Sequence, residues 1–380
     1  MNYLFFLGRT IDLCTAELEV VLKRFNGELE PSFITNQIAK GSFEKRSAEQ
    51  LISILGGTQK IAEIVEELSS TQIKEALDVC ARKLAEANQG KKAQFAISII
   101  GEDTEIVPEK YIKGELKKYG MSSRFVQGEA LGLNAAQFKH NHAEEYFIVK
   151  HEDLYLIAKT AGIQDVDDWS KRDFGKPYRD AKRGMLPPKL ARMLVNLAIG
   201  DKSAEQVTLL DPFCGSGTIL MESLLIGTEA VGSDISQEAV LGAGKNLLWL
   251  KEQWGLQKEY SLSVQDASHL TQQTLVKRFN AVATEPFLGK QNPTMEAANN
   301  ILKGLEKMYL GFLKSLGTIL PKGSNVAIIV PQLTFGKSVK NMHSLIDRVG
   351  SLGYTREKGP FLYTRPQTVV QREIYVLRKI

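Results

Sequence analysis

Cysteine is scarce, with three in 380 residues: Cys14, Cys80 and Cys214, far apart and never in a C-x-x-C pair. That excludes a disulfide framework and a zinc site of ordinary spacing, and it points to a reducing compartment, the cytoplasm. Histidine is sparse too; His140 and His142 have no third ligand nearby and read as loop residues, not a metal centre. No apolar run approaches the roughly twenty residues of a membrane span. The start, "MNYLFFLGRTIDL", has too short an apolar run and no basic leader, so it reads as a first strand rather than a signal peptide. Net charge is small, +4 from 48 basic and 44 acidic residues, so no global field draws in polyanions. A case for nucleic acid must rest on how the charge is distributed.

What is present is ample core, 43% hydrophobic residues, in a length that suits two or three domains. The first part predicts an α+β module. A strand falls at Tyr3 to Phe6, helical patterns at 15–25 and 60–86, a strand at 93–100 and a helix at 109–120. In "LGGTQKIAEIV" the pair Gly56 and Gly57 reads as a turn feeding the second of those helices. Regular patterning then dissolves over 165–186, rich in charge, glycine and proline, which predicts a linker. Across its end Lys171, Arg172, Lys176, Arg179, Lys182 and Arg183 face only Asp173 and Asp180, as expected for a solvated linker or one that meets phosphate. From 187 to 380 strands alternate with helices, including a helix over 338–350, which predicts a doubly wound parallel α/β sheet. The closing pair of strands, near 355–364 and 369–378, is joined by a short turn, so the last should run antiparallel to its neighbours.

In such a sheet, ligands sit beyond the carboxyl ends of the strands, where strand order reverses. The run "VTLLDPFCGSGTIL" places Asp211 at a strand end, then Pro212, Phe213, Cys214, Gly215 and Gly217 in the loop to the next helix. The glycines let backbone approach a ligand without Cβ clashes, and the helix offers free N–H groups. A dinucleotide fold would show G-x-G-x-x-G; an acid heads this loop instead, and no third glycine follows at that offset. Asp234, with Ile235 after it, ends the next strand at about the twenty-residue separation from which a carboxylate reaches a ribose diol, a contact NAD would share. Asp266, with Ala267, ends a third strand, where it could accept from an adenine amine. One such aspartate alone would be a turn former. Three in register with a glycine loop describe a site for a nucleoside carrying an amino-acid cation, S-adenosylmethionine. Cys214 reads as a small filler, since nothing nearby looks like its base.

The stretches "DPFCGSGTILMESLLIG", "GSDIS", "LPPKLARMLVNLA", "LGGTQKIAE" and "AAQFKHN" resemble the THUMP-domain RNA methyltransferases, specifically the tRNA guanosine-N2 methyltransferase group. The resemblance implies a small leading domain over 1–55, a THUMP-like RNA-binding domain over 56–164, and a Rossmann-like methyltransferase domain over 187–380, with tRNA as partner. It implies that the loop "RDAKRGM" closes over the methionine end of the cofactor. It also implies a motif of Asp or Asn, Pro, Pro, Tyr or Phe after the fourth strand, whose acid and proline carbonyl hold the base amine while its aromatic stacks. Here Glu285, Pro286, Phe287 and Leu288 occupy that place, with the second proline lost and the acid one methylene longer. Two rivals stay open: a non-catalytic RNA-binding protein that keeps the cofactor fold, and a DNA amino-methyltransferase. Candidate RNA contacts are Lys113, Lys117 and Lys118 near one helix face, Arg124, Lys139 and His140 close by in sequence, and Arg179, Lys182 and Arg183.

Overall fold

The run "NYLFFL" is rich in aromatics and "FAISII" joins an aromatic to β-branched isoleucines, the types that fit a pleated, half-buried surface. The computed structural model describes residues 1–35, 37–44, 46–70, 72–89, 91–179, 185–273, 275, 277–365 and 367–380, without the side chains at 31–33. In chain order it begins with β1 (Asn2–Leu7), α1 (Ile11–Arg24), β2 (Glu28–Thr35), β3 (Ile38–Ser42), α2 (Ala48–Ile54) and β4 (Thr58–Leu68). Then come α3 (Ile73–Ala87), β5 (Ala93–Ile100), α4 (Pro108–Lys118), β6 (Ser123–Phe125), α5 (Ala135–Asn141), β7 (Glu144–His151), β8 (Leu154–Ile163) and α6 (Val166–Phe174).

The chain forms two compact units, the first made of Met1–Ile11, Phe25–Ile54 and Thr58–Asp167. Its sheet runs β2-β3-β1-β4-β8-β7-β5-β6. Strands from both sides of residue 55 share that sheet, through the pairing of β1 with β4, so 1–55 and 56–164 are not separate compact units. The helix expected over 60–86 is replaced by β4 and then α3. Ile61 and Ala62 are fully buried in a strand paired on both sides, and burial there outweighs the helical spacing of the apolar residues. One face of the sheet is closed by α3 and α4, whose Leu77, Cys80, Leu84, Ile112 and Leu116 pack with Phe95, Tyr146 and Ile157.

The second unit comprises Asp12–Arg24, Leu55–Gly57 and Asp168–Ile380. It holds α7 (Pro188–Ile199), β9 (Thr208–Asp211), α8 (Thr218–Ile226), β10 (Glu229–Asp234), α9 (Gln237–Trp254), β11 (Tyr260–Val264), β12 (Ala281–Thr284) and α10 (Met295–Gly317). β13 (Asn325–Phe335), β14 (Ser338–Lys340), α11 (His343–Asp347), β15 (Tyr354–Tyr363) and β16 (Val370–Lys379) complete it. The strand order is β11-β10-β9-β12-β13-β16-β15, with β14 on β13. β9 to β13 are mutually parallel and β16 runs antiparallel to both its neighbours, the doubly wound sheet and reversed last strand that the sequence predicts. The helix expected over 338–350 is mostly absent. Gly336, at φ 59, turns the chain back so that β14 pairs with β13, and only α11 remains as α-helix.

Two further expectations change. Gly56 and Gly57 lead into a strand, and their glycine character serves close approach. A Cβ on Gly56 would lie 2.4 Å from the Lys189 carbonyl, and both N–H groups donate to the buried Glu17 carboxylate on α1. The basic stretch after 165 starts inside α6, and two of its cations are buried: Arg172 is 2% exposed and Lys176 3%. Arg172 lies over the Trp169 ring and pairs with Glu222 on α8, as does Arg192 of α7, while Lys176 donates to the Thr218 hydroxyl. Neither the solvated nor the phosphate-meeting role fits Arg172 or Lys176.

Candidate functional site

β9 lies between β10 and β12, so strand order reverses at β9 and a crevice opens beyond its carboxyl end. There Asp211 and Asp234 end β9 and β10, Asp266 follows β11, and Glu285 follows β12. All four line one cavity of about 960 Å³, within the usual range for a small-molecule site. Pro212, Phe213, Cys214, Gly215, Ile235, Ala267, Pro286 and Phe287 line it too. Gly217 does not. It caps α8 in the left-handed region, φ 80, where a side chain would be strained and its Cβ would sit 3.2 Å from Ala243.

The acids are held in different ways. Asp211 is buried, accepting from the Thr284 hydroxyl at 2.7 Å and the Phe213 N–H at 3.2 Å. Burial pushes its pKa up to about 7, with repulsion from Asp234 and Glu285 adding and the two hydrogen bonds opposing. Asp234 accepts from the N–H groups of Gly215 at 3.0 Å and Ser236 at 2.9 Å, so the glycine loop and the tip of β10 are tied together. Asp266 is held below the ordinary carboxylate range, first by the Ser268 hydroxyl and then by the Ser268 N–H. Glu285 accepts at Oε1 from Arg372 Nε, 2.6 Å away. The Cys214 thiol is pushed well above its usual range by burial and by Asp211 and Asp234, which suits a filler and not a nucleophile.

Sequence reasoning missed Thr284, which bonds Asp211, and Arg372, with much of the far wall, including Leu186, Met308, Arg365, Gln367 and Thr368; Met185, in the same wall, ends the "RDAKRGM" loop expected at the cofactor. One signal was there to be read: "QRE" at 371–373 interrupts the apolar run of β16, and all three residues are buried.

The candidate RNA contacts lie elsewhere. Lys113 meets Glu109 at 2.5 Å, Lys118 meets Glu115 at 2.7 Å, and Lys139 meets Asp167 at 2.9 Å. Lys117 and Arg124 are exposed, as is His140. Arg179 is also exposed, its guanidinium 5.7 Å from the Phe174 ring centroid. Lys182 and Arg183, with most of the "RDAKRGM" loop, lie outside the described residues. Among the described residues no group of three or more potential ligands could hold a metal, and no helix is long and apolar enough to cross a membrane.

Residues 176–349 match the family described as RMKL-like, methyltransferase domain. The tRNA (guanine(10)-N2)-dimethyltransferase of Methanothermobacter thermautotrophicus is 32% identical over 191 residues, 50% of this chain and 49% of that one. The protein of that name from Pyrococcus abyssi is 30% identical over 182 residues, 47% of this chain and 50% of its own. The chain thus spans about half the length of these relatives. Among solved structures, TrmN from Thermus thermophilus matches over 100% of both chains with a TM-score of 0.52 at 18% identity, a likeness of fold. A probable tRNA (guanine(10)-N2)-dimethyltransferase from Methanothermococcus thermolithotrophicus is 35% identical over 137 residues, 33% of this chain but 80% of its own length. With so much of that relative matched at this identity, the chain belongs to the tRNA (guanine(10)-N2)-dimethyltransferase family and carries its methyltransferase domain in the second unit.

Proposed function

We propose that this chain is an S-adenosylmethionine-dependent tRNA methyltransferase that modifies an exocyclic base amine, guanosine N2, in the cytoplasm. The observation that carries it is the set of four carboxylates at successive strand ends around one cavity, with the Gly215 loop among them. Gly215 lines that cavity in the left-handed region, φ 49, with open space beside its backbone, which supports a close approach by a ligand. The acids suit a cationic one. Asp211 and the loop would hold the methionine end, Asp234 the ribose, and Asp266 the adenine, with Ile235 and Ala267 against the ring.

When bound, the cofactor supplies an electrophilic methyl group on a sulfonium and leaves as the neutral thioether. The chain's own residues place the acceptor. The Glu285 carboxylate and the Pro286 carbonyl accept from the two N–H bonds of the amine, which aims its lone pair, and Phe287, 59% exposed at the cavity mouth, offers a face for the base. The surplus proton on nitrogen passes to Glu285 and then to water. Orientation does most of the work in such a displacement, so the site needs no catalytic histidine.

The first unit is the RNA-binding part in this reading, with a leading segment over 1–55 and a THUMP-like region over 56–164 within one sheet. Support comes from the division of labour, since among the described residues those that line the cavity all belong to the second unit. Incubation with methyl-labelled S-adenosylmethionine and either bulk tRNA or duplex DNA tests the proposal. Label in tRNA, recovered as N2-methylguanosine after nucleoside digestion, is expected. Label in DNA, or none, would favour the amino-methyltransferase of DNA or the non-catalytic binder.

A further inference from the structure

We infer that Arg372 is a positioning residue for the acceptor carboxylate: by holding Oε1 of Glu285 it leaves Oε2 to the target amine and fixes the direction in which that oxygen points. The inference rests on the function proposed above. Glu285 stands at a place where the resemblance implies a shorter acid, and a glutamate has one more rotatable bond than an aspartate. Left free on the short segment after β12, such a side chain would spread its carboxylate over several rotamers. It would also face the other acids of the cavity, of which Asp211 already responds to its charge.

Arg372 removes both freedoms. Its Nε donates to Oε1 at 2.6 Å, in a pair whose side chains are only 9% and 16% exposed, so water competes weakly for either partner. Its backbone is held from both sides, because β16 places Arg372 opposite Pro331 of β13 and opposite Tyr363 of β15. Among the described residues Glu285 is the only hydrogen-bond or ion-pair partner of the Arg372 side chain, and both side chains line the cavity. A buried cation with one partner, on a strand fixed at both edges, is a stop against which a flexible carboxylate is set. Lysine would supply charge without the planar, directed N–H.

The test uses the full chain with tRNA. Arg372→Lys, which keeps a cation, and Arg372→Gln should each lower kcat by about a hundredfold, the cost of a misplacement of about 1 Å. Affinity for S-adenosylhomocysteine, measured by calorimetry, should stay unchanged, which also reports that the variants fold. In a Glu285→Asp background, whose shorter acid falls short of Arg372, the same Arg372→Lys change should cost little. Wild-type kcat in Arg372→Lys, or an equal loss in both backgrounds, overturns the inference and leaves the proposed function standing. A wild-type chain that binds the cofactor product yet transfers no methyl group to tRNA overturns the function itself, and this role with it.

Discussion

Asp211 at the end of β9 and Thr284 at the end of β12 are joined by a 2.7 Å hydrogen bond across the point where strand order reverses. The two strands pair in parallel, Leu210 opposite Val282, which brings their ends side by side. The Thr284 hydroxyl donates and therefore favours the ionised carboxylate, offsetting part of the burial that opposes it. Thr284→Val keeps the shape and removes the donor. We expect the Asp211 pKa to rise further and cofactor affinity near neutral pH to fall several-fold, in line with about 1.5 kcal/mol for a hydrogen bond to a charged group. Calorimetric titration of S-adenosylmethionine against both proteins checks it.

The pKa of Asp211, about 7, gives the site a pH dependence of definite sign. Between the unfolded value near 4 and about 7, the folded chain holds a proton that the unfolded chain has released. The contribution of this group to stability is thus complete below about pH 4 and is lost as pH rises through about 7. A cation that needs the carboxylate ionised behaves in the opposite sense. S-adenosylmethionine should bind about tenfold more weakly at pH 6 than at pH 8, with a proton released at the lower pH. Asp211→Asn should bind weakly at both, without the slope.

The strand-end acids were legible in the sequence because a parallel sheet sends every carboxyl end to the same side, so order along the chain becomes order around the cavity. Partners that arrive from afar were not. Arg372 reaches Glu285 across 87 residues, from a strand whose direction could be inferred but whose register could not. The basic run around Arg172 looked like a solvated or phosphate-meeting linker because Glu222, its partner, lies 50 residues on, within a helix whose other positions are mostly apolar. At Gly56 and Gly57 the bend was legible, but the strand that follows it and the close approach were not. A glycine that makes a turn and one that allows close approach leave the same letter, and only their neighbours in space, the Lys189 carbonyl at Gly56 and Cys14 at Gly57, separate them.

Phe287 separates binding of the base from stability. A large aromatic left exposed at the mouth of a cavity contributes little to the fold, so Phe287→Ala should leave the thermal midpoint unchanged. Stacking of a base on an aromatic ring is worth about 1–3 kcal/mol, and kcat/KM for tRNA should fall roughly ten- to a hundredfold. Unchanged kcat/KM would remove the ring from the proposed site.

Glu222 does the reverse. Its carboxylate is fully buried and neutralises two arginines, Arg172 and Arg192, which are themselves buried. Glu222→Ala removes the buried carboxylate that both cations share, leaving Arg172 to the partly exposed Asp168, and should destabilise the second unit by about 3–5 kcal/mol. Loss of the cooperative thermal transition, or a midpoint lowered by many degrees, is the expected result.

Among the candidate RNA contacts, pairing within the first unit ranks the lysines. Lys139 already neutralises Asp167 at 2.9 Å, Lys113 and Lys118 have glutamates on their own helix, and Lys117 and Arg124 stand exposed with no ion pair recorded among the described residues. A cation that must leave a carboxylate to meet phosphate gains less than one that leaves only water. The double variant Lys117→Ala, Arg124→Ala should therefore weaken tRNA binding more than Lys139→Ala. Its plot of log affinity against log salt should be shallower by roughly 0.7–0.9 for each phosphate no longer neutralised. Identical salt slopes for the double variant and the wild type would place the RNA on another face.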